Sequence, residues 1–417
     1  MAATSQLYAL FLFTRIHTPD EASIIFILIG YAIWLQMFEF GVAQALQNRI
    51  NCRKISLTES AAVIVLHYIG MLLFSTFLIV FPEVQALLLP SAQPAARAAE
   101  IGAFSFGMAL MVIATNNIII QRVLIVSNRG MTANTLLFLQ SFFAIVGLML
   151  YQRYGQTSLL KSIFIYLSPP IFVYVPIILK LVRKIIRRWK YINIRRLSII
   201  YDAAGFWGLN ILSSIFLGAD YYFVAHYLSS TEVISYHFSA RFFFLSYVAY
   251  FAYVQHQAKN LNPATLARGV GQVKKILKES ICIGLVSVAL ILGGVIVLEY
   301  WKIFDLFTSK GLVITSLLLT AAFYYSIRVF RDVGLVVLWN LGVKSALYKV
   351  YLLEVTLGLV MLGVLAPQFA GVGIFLAMAL TSLVSTAVIF FVLNKILSAP
   401  TASWGKASLL VADVERI

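Results

Sequence analysis

The sequence predicts an all-α polytopic membrane protein, with about twelve transmembrane helices in two pseudo-symmetric six-helix bundles around a central cavity. Three observations predict it. Hydrophobic residues make up 61% of the chain and its mean hydropathy is +0.92, well beyond ordinary soluble domains. Apolar stretches of about 20 residues recur from end to end, each long enough to cross a hydrocarbon core of roughly 30 Å as a helix. And two short polar hairpins echo each other: Thr18-Pro19-Asp20-Glu21-Ala22-Ser23-Ile24 and Ser230-Thr231-Glu232-Val233-Ile234-Ser235-Tyr236, with Glu21 and Glu232 standing 211 residues apart. Each hairpin launches a long apolar segment. Half-chain repeats in so apolar a chain point to a transporter with its substrate path between the halves.

The expected spans, in order, are residues 3–16, 21–46, 59–81, 99–121, 131–151 and 159–182 in the first half. The second half holds 201–225, 233–257, 276–298, 312–339, 345–365 and 371–394. The first is short, with about 14 residues before Arg15, as if clipped by a mis-assigned start. A signal peptide is the rival reading, but Met1-Ala2-Ala3-Thr4 has no positive n-region and no clear cleavage site follows. Lys and Arg set the orientation. With the N-terminus inside, 25 of the 32 fall in inner loops and the tail, six in outer loops, and Arg241 within a span. Both termini are therefore expected in the cytoplasm.

The division follows from charge. The N-terminal bundle is read as residues 1–182, the C-terminal bundle with its short cytoplasmic tail as 200–417, and residues 183–199 as a basic cytoplasmic linker between them. In the linker Ile185, Trp189 and Ile192 form one apolar stripe on a basic helix, the pattern of a helix lying in the membrane interface. A second such piece runs over residues 263–278. The net charge of +16 invites a nucleic-acid reading; on a membrane protein it more often meets anionic lipid headgroups, so anionic lipids and no nucleic acid are expected as partners. Cys52 in a loop and Cys282 in a span predict no disulfide.

Ionisable groups within spans carry the functional argument, because each costs roughly 2.5–3.5 kcal/mol near the bilayer centre. Arg241 lies about 12 Å deep at 1.5 Å per residue, flanked by Ala240 and Phe242. It is read either as a cation lining a cavity, suited to a phosphate or sugar acid, or as one half of a structural pair with Asp220. A pair of that kind is a brace or a gate. Glu39 stands toward the inner end of span two, either taking up a coupling proton or reaching the interface. Arg328 and Arg331 share a face of span ten at i, i+3, and Asp332 completes an i, i+4 pair with Arg328. They form a cationic vestibule for a diphosphate, or snorkel to the inner surface. Asn116, Asn117, Gln121 and Arg122 make span four polar at its inner end, where helix–helix hydrogen bonding is the plainer use. His67 and His237 are proton relays or packed, hydrogen-bonded histidines. No HExxH spacing, Walker A loop, Ser-His-Asp set or paired-carboxylate arrangement occurs, so neither metal, nucleotide, cofactor nor catalytic residue is expected.

Three segments carry a family resemblance. The first is Arg15-Ile16-His17-Thr18-Pro19-Asp20-Glu21 running on through Trp34-Leu35-Gln36-Met37-Phe38-Glu39-Phe40-Gly41 to Asn48. The second is Gly218-Ala219-Asp220-Tyr221-Tyr222-Phe223-Val224 followed by Glu232-Val233-Ile234-Ser235-Tyr236. The third is Gly371-Val372-Gly373-Ile374-Phe375-Leu376-Ala377. The chain resembles the Wzx-type flippases of the polysaccharide transporter family, within the multidrug/oligosaccharidyl-lipid/polysaccharide exporter superfamily. The short first span departs from the family.

That resemblance implies two six-helix bundles facing a central cavity in the bacterial inner membrane. It implies flipping of an undecaprenyl-diphosphate-linked oligosaccharide to the outer leaflet for O-antigen, capsule or exopolysaccharide. Proton or sodium would be the coupling ion, and a polysaccharide polymerase and chain-length regulator the protein partners. The nearest candidates for the family's charged cavity residues are Glu39, Asp220, Arg241 and Arg328. Three rivals stand beside it: a multidrug/cation antiporter of the same superfamily, a lipid II flippase, and a membrane-embedded glycosyltransferase or polymerase. Buried arginine rivals buried acid here, which leans away from the antiporter, and the short outer loops lean away from the enzyme.

Overall fold

A computed structural model of the chain describes residues 2–51, 55–81, 83, 94–127, 129–154, 158–188, 199–258, 270–301, 314–340 and 343–398. All regular structure among them is helical. In chain order the helices are α1 (Ala2–Ile16), α2 (Pro19–Leu35), α3 (Val42–Asn51), α4 (Leu57–Val80), α5 (Pro94–Thr115), α6 (Asn117–Val126) and α7 (Gly130–Tyr154). There follow α8 (Leu159–Arg188), α9 (Ile199–Tyr227), α10 (Ser230–Ala258), α11 (Val270–Tyr300), α12 (Thr315–Asn340) and α13 (Lys344–Leu397). Among the described residues, each expected span is occupied mainly by helix. Seven of these segments are long and apolar enough to cross a membrane, and large side chains such as Leu73, Leu290 and Phe391 point outward, as a lipid-facing surface requires.

Polar residues place the helix starts. Ser56 and Glu59 form a reciprocal capping box on α4: the Ser56 hydroxyl accepts from the Glu59 amide at 3.2 Å and the Glu59 carboxylate accepts from the Ser56 amide at 2.8 Å. The two echoing hairpins prove to be helix caps in the same register. At the start of α2 the Glu21 amide donates to the Thr18 hydroxyl at 3.4 Å, and at the start of α10 the Glu232 carboxylate takes both the amide (2.9 Å) and hydroxyl (2.8 Å) of Ser229. Glu21 turns instead to His17, at 2.9 Å from its Nδ1.

Two spans are not the uninterrupted rods the hydropathy suggested. Span two breaks after α2: a 3-10 turn over Gln36–Glu39 leads into Phe40 (φ 53°) and Gly41 (φ 70°), and α3 starts afresh at Val42. A left-handed φ is ordinary for Gly41 and strained for Phe40. Span four breaks at Asn116, between α5 and α6. Spans eleven and twelve are two helical stretches of α13 that meet at a non-helical turn at Ala370 (φ 48°, ψ −132°). Gly373 permits that turn, since a Cβ there would stand 2.1 Å from the Leu365 carbonyl oxygen.

By packing, the chain divides into two compact units, Met1–His226 and Tyr227–Ile417. The seventh-span helix α9 falls in the first of these units. Within it, α2 and α9 meet at two glycines. A Cβ on Gly30 would fall 2.0 Å from the Tyr221 ring, and one on Gly218 would fall 1.8 Å from the Trp34 indole. Each glycine is the socket for an aromatic of the other helix. The basic residues Arg183, Lys184, Arg187 and Arg188 continue α8. The rest of the expected linker (189–198), the first half of the second basic piece (263–269), Cys52 and the tail from 399 lie outside the described residues.

Candidate functional site

In the first unit the two broken spans meet. The short helices α3 and α6 pack on each other and against α4 and α8, around Leu46, Ile64, Ile119 and Tyr174. Glu39 is buried, and its carboxylate accepts from the Ala43 amide at 3.0 Å. It therefore caps α3, where negative charge suits the exposed amides of a helix start. Neither sequence reading of Glu39 included this role. The Asn pair marks the second break. His67 Nε2 donates to Asn116 Oδ1 at 2.7 Å, the Tyr68 hydroxyl donates to Asn117 Oδ1, and Asn117 Nδ2 donates to the Pro170 carbonyl at 2.7 Å. One turn on, Gln121 Nε2 donates to the Tyr174 hydroxyl and Arg122 to Gln44 Oε1, both at 2.8 Å. This is the helix–helix hydrogen bonding expected of span four, and it takes His67 with it.

The second unit holds the denser charge. On α12, one turn separates Arg328 from Asp332, and Arg328 Nε donates to Asp332 Oδ2 at 3.1 Å. Arg331 makes a two-pronged pair with Glu354 of α13, Nε to Oε1 at 2.6 Å and Nη2 to Oε2 at 2.7 Å. Its Nη1 donates to Asp332 Oδ1 at 2.6 Å. The Tyr250 hydroxyl of α10 completes Asp332, donating to Oδ2 at 3.0 Å. Such a planar fork against a carboxylate is the strong, geometrically specific form of ion pair.

The two arginines are chemically unequal. Arg331 is 3% exposed and Glu354 fully buried, so this pair is internal and its charge is cancelled. Arg328 retains 12% exposure, shares its carboxylate with Arg331 and Tyr250, and is framed by aromatic faces. Its guanidinium carbon lies 5.0, 5.5 and 6.0 Å from the ring centres of Tyr247, Tyr325 and Tyr324. Of five N–H donors, one is on Asp332 and a second reaches the Tyr324 hydroxyl at 3.5 Å. Of the two expected vestibule cations, Arg328 is the one with donors in reserve among the described residues.

Arg241, half-buried on α10, donates from Nε to His237 Nε2 at 3.3 Å and lies over Phe244 at 5.7 Å. Asp220 is buried on α9 in the first unit, and Arg241 belongs to the second. Glu354 escaped the sequence reading altogether. The signal was there: it is the only acid of α13, ten residues into an apolar span, and the insertion-cost argument applied to Arg241 applies to it equally. Among the described residues no group of His, Cys, Asp and Glu is arranged to hold a metal ion.

These features define a multi-pass helical membrane protein whose ionisable groups are held inside helix bundles. No protein-family model and no curated protein matches the sequence. Solved structures do match its fold along nearly the whole chain. An inward-facing multidrug resistance MATE family transporter of the MOP superfamily aligns with TM-score 0.70 and 14% identity, over 95% of each chain. The lipid II flippase MurJ in an inward closed conformation aligns with TM-score 0.66 and 14% identity, over 99% of this chain and 89% of that one. The Vibrio cholerae MATE transporter VcmN gives 0.64 and 16%, over 96% and 94%. The chain has the fold of these transporters.

Proposed function

We propose that the chain is a flippase that moves an undecaprenyl-diphosphate-linked oligosaccharide from the cytoplasmic to the outer leaflet by alternating access, for surface polysaccharide synthesis. The observation that carries this reading is Arg328: an arginine whose side chain keeps 12% exposure, set among tyrosine faces and held by a carboxylate it shares. A diphosphate competes with Asp332 for the guanidinium, and the aromatic faces suit the sugar that follows. Arg331, locked to Glu354, fixes the helix that presents Arg328. Arg241 offers a second cation for the anionic group, and Glu39, Asp220 and Asp332 are assigned to gating or to coupling with protons or sodium. Without a protein the step is slow, because the sugar hydroxyls would lose their water partners in hydrocarbon.

The test is genetic and chemical. Deleting the gene in its host should make lipid-linked repeat units accumulate on the cytoplasmic leaflet and abolish the surface polymer. Restoring the wild-type chain should reverse both, and Arg328→Ala at equal protein level should not. Unchanged polysaccharide with reduced tolerance of toxic cations would instead make the chain an antiporter.

A further inference from the structure

The second unit carries a feature unrelated to the arginine cluster. Between α11 and the last turns of α13 runs a groove of about 570 Å³. Its floor is apolar, built by Leu277, Ile281 and Leu285 on one side and Leu393 and Leu397 on the other. One end is basic: Lys274 and Lys278, a turn apart on α11, face Asn394 of α13. A second hollow of about 370 Å³ shares Lys274 and Asn394 and adds Lys395. No carboxylate lines either hollow among the described residues. The nearby acid, Glu279, is engaged elsewhere, pairing with Lys275 at 3.8 Å and accepting from the Tyr253 hydroxyl at 3.0 Å.

Any groove on a lipid-facing surface holds an acyl chain; one that ends in two ammonium groups, with a third in the adjoining hollow and no acid among the described residues, also selects the headgroup. We propose that this is a specific site for an anionic membrane phospholipid. The phosphate is held by Lys274, Lys278 and Lys395, and the acyl chain lies along Leu277, Ile281 and Leu393. Basic residues at the ends of membrane helices bind anionic headgroups by charge, and the apolar floor is what distinguishes a lipid from free phosphate. The bound lipid would bridge α11 to the end of α13, and the site is independent of the transported substrate.

Cys282 lines the groove and is exposed, which supplies the reporter. In the full chain carrying Cys52→Ser, a bimane group on Cys282 is read in nanodiscs containing brominated phosphatidylglycerol or brominated phosphatidylcholine. Quenching should reach half its maximum at a several-fold lower fraction of the anionic lipid. Lys274→Gln/Lys278→Gln/Lys395→Gln should abolish that preference, and Lys349→Gln, outside the groove, should leave it intact.

Because the label itself occupies the groove, native mass spectrometry of the unlabelled protein counts retained phosphatidylglycerol independently; the triple variant should retain less. Equal quenching by the two lipids in the Cys52→Ser chain overturns the proposal, as does a preference that survives the triple variant. Displacement of the brominated lipid by inorganic phosphate would make this a phosphate site, not a lipid site. Absence of quenching by either lipid would mean that the groove is filled from within the chain, for instance by the tail bearing Asp413 and Glu415.

Discussion

Glu354→Gln isolates the Arg331–Glu354 pair while nearly keeping its shape. The carboxylate is fully buried and makes two short bonds, 2.6 and 2.7 Å, to a guanidinium that is itself 3% exposed. Removing its charge leaves Arg331 to Asp332, which already serves Arg328 and Tyr250. Breaking a buried pair from one side typically costs about 3–5 kcal/mol, because the surviving charge is uncompensated. Arg331→Met should cost about as much, for the mirror reason. The combined Arg331→Met/Glu354→Leu chain leaves neither charge behind and keeps Arg328 and Tyr250 on Asp332, so it should recover to within about 2 kcal/mol of wild type. The assay is thermal unfolding in detergent, followed by intrinsic fluorescence and by the size-exclusion peak that survives heating. Each single variant should unfold several degrees early, with the double variant between them and wild type. Single variants that melt with wild type, or a double variant that loses the sum of the two, would refute the assignment of this pair as an internal brace.

Arg328→Lys keeps the charge and loses the planar fork, so the initial flipping rate should fall about tenfold, corresponding to roughly 1.4 kcal/mol of lost anion binding; unchanged rates would remove Arg328 from substrate contact. Gly218→Ala should destabilise the first unit by about 1–3 kcal/mol by pushing on the Trp34 indole, and Trp34→Leu in the same chain should relieve part of that loss. Asp220→Asn and Arg241→Ala should each lower the transport rate at equal protein level, and an unchanged rate would remove that residue from the transport cycle.

The spans were legible because crossing a bilayer leaves one coarse signal, a run of about 20 apolar residues, that local detail does not blur. The hairpin echo was legible too, and its meaning sharpened: Thr18 with Glu21, and Ser229 with Glu232, are helix caps set by side chains within three residues of each other. The breaks were harder. Gln36 to Gly41 offers one glycine amid aromatic residues, and the Phe40 ring at the left-handed turn meets Trp207, whose ring centre lies 5.2 Å away from more than 160 residues along the chain. Asn116 read as polar but not as a break. The arginine cluster was half legible. The i, i+4 pairing of Arg328 with Asp332 is a property of one helix. The neutralising of Arg331 depends on which face of span eleven meets span ten, and nothing local to Glu354 announces that.

The central claim is tested most directly by flipping itself. The purified chain is reconstituted in liposomes with a fluorescent polyprenyl-diphosphate oligosaccharide, and the label reached by an impermeant quencher is followed in time. Wild-type liposomes should expose the inner-leaflet label far faster than protein-free ones, Arg328→Ala should slow this at equal incorporation, and a neutral polyprenyl glycoside should be a poor substrate. Equal rates with and without the protein, or no preference for the diphosphate over the neutral lipid, would contradict it.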